Sequence, residues 1–322
     1  MSQALLKLQL GPVQDFIAAS RSTRDLWSGS FLLSWLMATA CRALAEQGGT
    51  LVFPNPDKQP LINPSGDWEN NQRLIPNLPN VLVARTSSDK GEKVAAAMES
   101  AIKKEWKDIA DSVWAKHEDL KIDANLKDCF NSQIENFLSI AWQITPINDE
   151  APNAYAEAYR DNGWHMDATR QLRDFQGPQH FAGSSHEKDS LLGTLETIKS
   201  GNDVTTQLQH LFKHKSDHHC AITLIKRLWH ITYLGKEGRP TADSHTFRIP
   251  DTRQIAVREI DKEGQMSVDS LSGEKYLAAI AFDGDSIGKW IGGKFHEDAQ
   301  LEKLHGDFSK SLSTFALEQV DQ

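Results

Sequence analysis

The chain has 322 residues, of which 39% are hydrophobic and 25% charged, and its formal net charge is −9 at pH 7. This composition allows one or two domains with apolar cores and excludes a disordered polyelectrolyte. The acidic balance also excludes a basic surface over the whole molecule, so any nucleic-acid contact has to be local. Since no apolar run reaches about 18 residues and no signal-peptide pattern opens the chain, we expect a cytoplasmic protein without membrane contact.

The three cysteines, Cys41, Cys129 and Cys220, are far apart and odd in number. This count excludes a disulfide framework and a four-cysteine zinc site, and predicts buried thiols in a reducing compartment. The run His218-His219-Cys220 contains metal-ligand residue types. Because no second pair of such ligands lies at a useful spacing, we interpret it as structural.

The first 149 residues predict strands and helices in the order β, α, β, β, α, β. The strands are predicted at 4–10, 50–53, 80–85 and 137–147 by short apolar or alternating runs. After the first strand, Pro12 opens a helix, 26–30 bend the chain, and a second helix covers 31–47. A further helix is predicted to start at an Asp89–Glu92 capping box and to bury one stripe. That stripe consists of Val94, Met98, Ile102, Ile109 and Val113.

This order is typical of the ferredoxin-like split βαβ fold. We therefore predict an α+β domain over 1–149, with an antiparallel sheet covered by helices on one face. Residues 150–272 are predicted to form a mainly helical middle domain. It includes a short helix at 221–234, with Lys226 and Arg227 on its solvated face, and a strand at 254–260.

A second strand–turn–helix unit is predicted to begin at 273. The apolar strand 276–282 leads into Asp283-Gly284-Asp285, and a helix follows from about Glu297. That helix is expected to bury Leu301, Leu304, Phe308, Leu312 and Phe315. Since a lone βα unit cannot cover its sheet edge, 273–322 look like the beginning of a larger domain.

Two segments contain residue types suited to nucleotide chemistry. Asp283 and Asp285 follow an apolar strand, where carboxylates can hold divalent cations, and Gly284 leaves room for a phosphate. The alternative is an ordinary acidic turn. The second segment, Arg21–Ser30, combines arginines, hydroxyls and a glycine, which suit an anion- or nucleotide-facing wall. The alternative there is a polar helix bend with surface arginines.

Several motifs resemble, in order, the large polymerase-like subunit of type III-B CRISPR effector complexes, the Cmr class. The opening run Leu10-Gly11-Pro12-Val13-Gln14-Asp15-Phe16-Ile17 and the following Arg21-Ser22-Thr23-Arg24-Asp25-Leu26-Trp27-Ser28-Gly29-Ser30 carry most of the resemblance. Shorter matches are Phe53-Pro54-Asn55-Pro56, Leu78-Pro79-Asn80, Leu224–Leu228, Ile249-Pro250-Asp251-Thr252 and Phe282–Lys289.

The resemblance implies two palm domains related to nucleotide cyclases, the second of which binds ATP and Mg²⁺ or Mn²⁺ and makes cyclic oligoadenylate. Asp283 matches the first metal-binding carboxylate, and Asp285 is the adjacent acid. The residues expected near the nucleotide are Gln14, Ser28, Gly29, Ser30, Gly284 and Ser286. The first palm lacks such acids and is expected to be non-catalytic.

Three departures from the family pattern bear on activity. The chain starts at the first palm, without the HD nuclease domain that many members carry. It ends at Gln322, before the Gly-Gly-Asp-Asp hairpin that completes the metal site, so we expect this chain alone to be inactive. The middle segment 183–193 has no cysteines, so zinc is not expected.

The sequence thus supports a fragment of an RNA-guided antiviral effector subunit, with crRNA, target RNA and the neighbouring small subunit as partners. An alternative is a non-catalytic scaffold that docks a neighbouring subunit and the 5′ end of the guide RNA. A third is a stand-alone cyclase-like enzyme for another nucleotide.

Overall fold

The protein is described here by a computed structural model. It covers residues 2–57, 59–65, 67, 69, 72–172, 187–235, 239–240, 249–257, 259–260, 266–267, 276, 278 and 286–318.

Four strands form one antiparallel sheet in the order β2-β3-β1-β4. The strands are β1 (Gln3–Gly11), β2 (Thr50–Phe53), β3 (Val81–Ser87) and β4 (Ser139–Ile147). Strand β1 is central and pairs with β3 on one side and β4 on the other. Each pair of strands joined through helices is thus separated by a third strand, which is the split βαβ arrangement. The predicted α+β, ferredoxin-like topology is confirmed.

One face of the sheet packs against long helices. The helices of this part of the chain are α1 (Gln14–Ala18), α2 (Thr23–Glu46), α3 (Gly91–Trp114) and α4 (Lys127–Glu135). Side chains alternate along a strand, so Leu6, Leu8 and Leu10 of β1 all point to this side and join one core with α2 and α3. The predicted stripe of α3 is buried throughout, from Val94 to Val113, because it recurs at helical spacing.

Two predicted helix starts are wrong. Helix α2 begins at Thr23 rather than Phe31, and it runs without a break through 26–30, where a bend was expected. Its glycine is tolerated in the interior because tertiary packing there requires a small residue. Helix α3 begins after Lys90 without a side-chain cap, and Asp89 instead accepts a hydrogen bond from Ser87. The Asp89 carboxylate is thus hydrogen-bonded within the turn before α3 and does not cap the helix.

The opposite face of the sheet is also covered, contrary to the prediction of one covered face. Helices α5 (Ala154–Gln171) and α9 (Leu301–Glu318) lie on that side. They share a second core with Leu5, Val83 and Ile147 of the sheet. Both faces of the sheet therefore carry buried apolar residues. The packing of α5 on the sheet was not predicted, because the sequence of this helix is rich in alanine and polar residues.

Helix α6 (Ala221–Thr232) is buried on all sides and packs against α2, α3 and α4. Its place in the middle of the main core corrects the prediction that Lys226 and Arg227 are solvated, since they are only 1% and 7% exposed. A helix that is covered all round has no solvated face for its cations. Both side chains instead find partners inside the protein.

Helix α9 buries only part of the predicted face: Leu301 is buried and Leu304 is partly buried against the second core, as predicted. The inward side consists of Leu301, His305, Ser309, Ser313 and Leu317, whereas Leu312 and Phe315 are 48% and 59% exposed. The reason is that α9 packs partly on the polar loop after β2. There Asn55 N donates to Ser309 Oγ at 2.7 Å, and Gln59 Nε2 donates to Ser313 Oγ.

The remaining elements are short. They are β5 (Lys199–Ser200), β6 (His218–His219), α7 (Thr252–Val257), β7 (Glu259–Ile260), β8 (Met266–Ser267) and α8 (Ile287–Ile291). The strand predicted at 254–260 is thus helical over most of its length. The strand predicted at 276–282 lies largely outside the described residues. Among the helices described, none combines the length and the apolar character needed to cross a membrane.

Candidate phosphate-binding cleft

A polar cavity of about 500 Å³ opens at the N-terminus of α2, and we name it the α2 cleft. Three stretches of the chain and one α6 side chain line it. The first stretch is Arg21–Asp25. The second lies after α5 and contributes His210, Leu211, Lys213, His214 and Asp217. The third contributes Ile249, Asp251 and Thr252, and the α6 side chain is Arg227. The structure thereby joins two motifs that are 227 residues apart, since Thr23 Oγ1 donates to Pro250 O at 2.6 Å.

The first turn of α2 is fixed by its own polar residues. Ser22 is the N-cap, and its Oγ accepts a hydrogen bond from Asp25 N at 3.1 Å. Asp25 Oδ2 in turn accepts from Arg21 N at 3.2 Å. Such capping satisfies part of the helix end, and the 24-residue helix directs the positive end of its dipole at the cleft.

A buried ion pair holds the floor of the cleft to α6. Arg227 Nη2 donates to Asp25 Oδ2 at 3.1 Å, and both side chains are 8% exposed. Arg227 Nη1 lies 3.3 Å from His219 Nε2, and the guanidinium carbon lies 5.5 Å from the centroid of the Phe212 ring. The negative charge of Asp25 is thus neutralised by Arg227 inside the protein.

Two histidines behind the cleft are held neutral. Burial, and then the nearby Arg227, lowers the pKa of His219 to about 3. Burial, and then Arg24, lowers the pKa of His230 to about 3. Neither imidazole therefore supplies positive charge at pH 7.

The cations at the rim of the cleft are more exposed than Arg227 and are less strongly paired with carboxylates. Arg21 contacts Asp217 at 3.4 Å while remaining 43% exposed. Arg24 and Lys213 form no ion pair with any carboxylate in the described part of the chain. Two such cations beside a capped helix N-terminus suit the oxygens of a phosphate group. The cleft is therefore chemically suited to binding a phosphorylated ligand.

The nucleotide-facing role predicted for Ser28 and Gly29 is not compatible with their positions. Ser28 is fully buried, donates to Lys226 O, and accepts from Trp229 Nε1 at 2.8 Å. Gly29 faces the Lys226 side chain, where an added Cβ would lie 2.7 Å from Cε. Both residues hold α2 against α6, so they position the cleft without lining it.

Gln14, Ser30 and Ser286 are not brought together. Gln14 is exposed on α1, Ser30 is half-buried on α2, and Ser286 is exposed before α8 with a left-handed φ of 61°. None of the three lines the α2 cleft. Their proposed nucleotide contacts remain predictions.

The predicted metal ligands Asp283 and Asp285 lie outside the described residues, as does Gly284. Within the part of the chain that is described, no group of three or more His, Cys, Asp or Glu side chains could hold a metal ion. His218 and His219 form strand β6, which pairs with β5.

Sequence reasoning missed most of the cleft outside Arg21–Asp25. His210 and His214 were recognisable as a pair four residues apart, but nothing local connected them to α2. Arg227 was misassigned to the surface because an amphipathic helix carrying two adjacent cations is ordinarily half-solvated.

Comparisons with known proteins agree with the opening motif. Residues 5–111 match the family model described as CRISPR-associated protein Cmr2, N-terminal. The CRISPR system Cmr subunit Cmr2 of Pyrococcus furiosus is 31% identical over 142 residues, which are 43% of this chain and 16% of that protein. The chain thus spans about a sixth of the length of this relative.

Two solved structures are similar over 70% of the chain. A cryo-EM structure of type III-B Cmr-beta in the apo state has a TM-score of 0.51 at 13% identity, with 31% of its chain covered. Cmr-beta bound to cognate target RNA has a TM-score of 0.47 at 12% identity, with 32% covered. At this identity the first likeness shows a shared fold. In sequence, residues 5–111 of this chain are similar to the Cmr2 N-terminal family.

Proposed function

We propose that this chain is part of the large subunit of a type III-B CRISPR effector complex, which acts in RNA-guided antiviral defence. The observation that carries the proposal is the match of residues 5–111 to the Cmr2 N-terminal family, within which the rim of the α2 cleft begins. Its partners are other subunits of the complex, especially the small subunit beside the 5′ end of the guide RNA. Guide and target RNA are reached through the complex.

We further propose that the α2 cleft binds a nucleotide, with ATP as the ligand in the complete protein. Its volume of about 500 Å³ lies within the range of about 300–1,000 Å³ typical of small-molecule sites. Arg24 and Lys213 contribute positive charge, and the N-terminus of α2 contributes backbone donors for phosphate oxygens. The Asp25–Arg227 pair keeps this end of α2 in place.

In the complete protein we propose that Asp283 and Asp285 hold Mg²⁺ or Mn²⁺ and that the product is cyclic oligoadenylate. The metal would neutralise the triphosphate and activate a 3′-hydroxyl. Gln14, Ser30, Gly284 and Ser286 remain candidates for further nucleotide contacts. The residue types support this proposal, since paired carboxylates are the ligands that Mg²⁺ prefers.

Nucleotide binding is tested by isothermal titration of this chain with ATP in Mg²⁺. We expect Arg24→Gln to weaken binding by at least about tenfold, because a charge-assisted hydrogen bond contributes about 1.5–3 kcal/mol. Arg170→Gln is the matched control: Arg170 is 45% exposed, pairs only with Asp167 among the described carboxylates, and does not line the cleft. Equal ATP affinity in wild type and Arg24→Gln would remove the cleft from the proposal.

Catalysis is tested on the assembled complex with ATP, Mg²⁺ and target RNA. Chromatography of the products is expected to show cyclic oligoadenylate, and Asp283→Ala is expected to abolish it. A complex that binds target RNA without consuming ATP would contradict the enzymatic proposal and favour the scaffold alternative.

A further inference from the structure

A second cationic cavity, of about 190 Å³, lies beside the C-terminal half of α2. We name it the arginine pocket, after its three guanidinium side chains, Arg42, Arg73 and Arg239. Its other walls are Trp35, Leu61 and three prolines, Pro60, Pro64 and Pro240. Arg42 is nineteen residues after Thr23, so the helix rise of 1.5 Å per residue puts it about 28 Å from the α2 cleft. The pocket is therefore a separate site.

Two of the arginines are held in place by neutral groups. Arg42 Nη2 donates to Thr39 Oγ1 at 3.0 Å, and Arg42 Nη1 donates to Leu61 O at 2.5 Å. Arg239 lies over the Tyr233 ring, with its guanidinium carbon 3.9 Å from the ring centroid, and Arg239 Nη2 donates to Tyr233 Oη at 3.1 Å. These contacts fix the directions of both guanidinium groups without neutralising their charge.

Arg73 has an unsatisfied donor. Its Nε atom is buried and has no hydrogen-bond acceptor among the described residues. A buried donor without a partner costs about 1–3 kcal/mol, so a native protein rarely leaves one in a site that is never occupied. Because Arg73 lines the arginine pocket, we infer that a ligand bound there supplies the missing acceptor.

The guanidinium groups of the pocket make no direct ion pair. None of the three is within ion-pair distance of a carboxylate in the described part of the chain. Glu105 hydrogen-bonds instead to Trp35 Nε1 at 2.6 Å and to Tyr233 Oη at 2.8 Å. Burial lowers the pKa of Arg42, and the more distant charges of Glu105 and Glu46 oppose this effect without outweighing it.

We propose that the arginine pocket binds the terminal phosphate of a small phosphorylated molecule. Guanidinium groups present paired donors that match phosphate oxygens, and a phosphomonoester carries close to two negative charges at pH 7. A volume of about 190 Å³ is below that of sites that enclose a whole drug-sized ligand, so the phosphate enters and the rest of the molecule stays outside. The walls of Trp35 and proline contact the adjoining carbon atoms.

The test is a thermal-unfolding titration with inorganic phosphate against chloride at constant ionic strength. It is run in an Arg24→Gln background, so that binding at the α2 cleft contributes less and is the same in every variant compared. We expect phosphate at about five times its Kd to raise Tm by about 1–2 °C. Adding Arg73→Gln is expected to remove this rise, whereas adding Arg170→Gln is expected to preserve it.

A second arm identifies the source of the phosphate. If adenosine monophosphate raises Tm more than inorganic phosphate does, and adenosine does not raise it, the ligand is a nucleotide. If adenosine monophosphate and inorganic phosphate raise Tm equally, the ligand is free phosphate. Arg239→Gln is measured as well, so that a folding defect in Arg73→Gln does not decide the outcome. The proposal would be overturned if phosphate did not raise Tm more than chloride does. It would also be overturned if the Arg73→Gln and Arg239→Gln variants showed the same rise in Tm as the background protein. Neither result would affect the ATP test of the α2 cleft.

Discussion

The charged side chains of this protein differ sharply in what surrounds them, and burial decides their importance. Asp25 and Arg227 are paired at 3.1 Å with side chains that are 8% exposed. Asp111 also contacts lysines, at 2.9 Å and 3.4 Å, but is 47% exposed. Water screens the second group and not the first, so the same kind of contact has different consequences for stability.

We predict that Asp25→Asn lowers the free energy of unfolding by about 3 kcal/mol, because it leaves the Arg227 guanidinium buried without a counter-ion. The matched change Asp111→Asn is predicted to cost less than about 1 kcal/mol. Urea denaturation of both variants measures the difference. Equal losses would show that Asp25 is not part of a desolvated pair.

At the scale of elements, the contact between α2 and α6 organises the core around the α2 cleft. Lys226 crosses from α6 to cap α1, donating to Ala19 O at 2.7 Å, to Ile17 O at 3.2 Å and to Phe16 O. Burial lowers the pKa of Lys226 to about 8, which is the effect of removing an ammonium from water. Gly29 provides the space through which this side chain passes.

Gly29→Ala is therefore predicted to destabilise the protein by about 1–2 kcal/mol. Alanine gains about 1 kcal/mol of helix propensity over glycine, but its Cβ would lie 2.7 Å from Cε of Lys226, which three carbonyls hold in place.

Gly163→Ala in α5 provides the control for the same chemical change. No atom lies within 4 Å of its added Cβ, so this variant is predicted to be more stable by up to about 1 kcal/mol. Thermal unfolding of both variants gives the signs. A stabilised Gly29→Ala would contradict the close contact between α2 and Lys226.

At the scale of the whole molecule, the C-terminal segment is joined to the N-terminal sheet. Leu301 is fully buried in the core shared by β1, β3, β4 and α5. Tyr155 Oη lies 2.7 Å from His305 Nδ1, and His305 Nε2 lies 2.8 Å from Ile291 O. Since a carbonyl can only accept, Nε2 carries the hydrogen and Tyr155 donates to Nδ1. The side chains of Arg85 and Glu302 add a two-bond ion pair.

Leu301→Ala is predicted to release α9 from the sheet and to cost about 2–5 kcal/mol, because it leaves a cavity in this second core. Leu312→Ala, on the same helix but 48% exposed, is predicted to change stability by less than about 0.5 kcal/mol. Hydrogen exchange of the α9 amides reports the effect directly. Unchanged protection in Leu301→Ala would show that this core does not hold the segment.

The four strands, their split βαβ order and the buried stripe of α3 could all be predicted from the amino-acid sequence, because they follow from local periodicity and from rules of chain connection. The same analysis predicted that Arg21–Ser30 face an anion or a nucleotide, and of this stretch only Arg21–Asp25 line the α2 cleft. Three further features could not be predicted in this way: the burial of Lys226 and Arg227, the inward packing of the α9 serines, and the completion of the cleft by residues 210–217 and 249–252. Those outcomes depend on contacts between segments up to 254 residues apart, which no local pattern encodes.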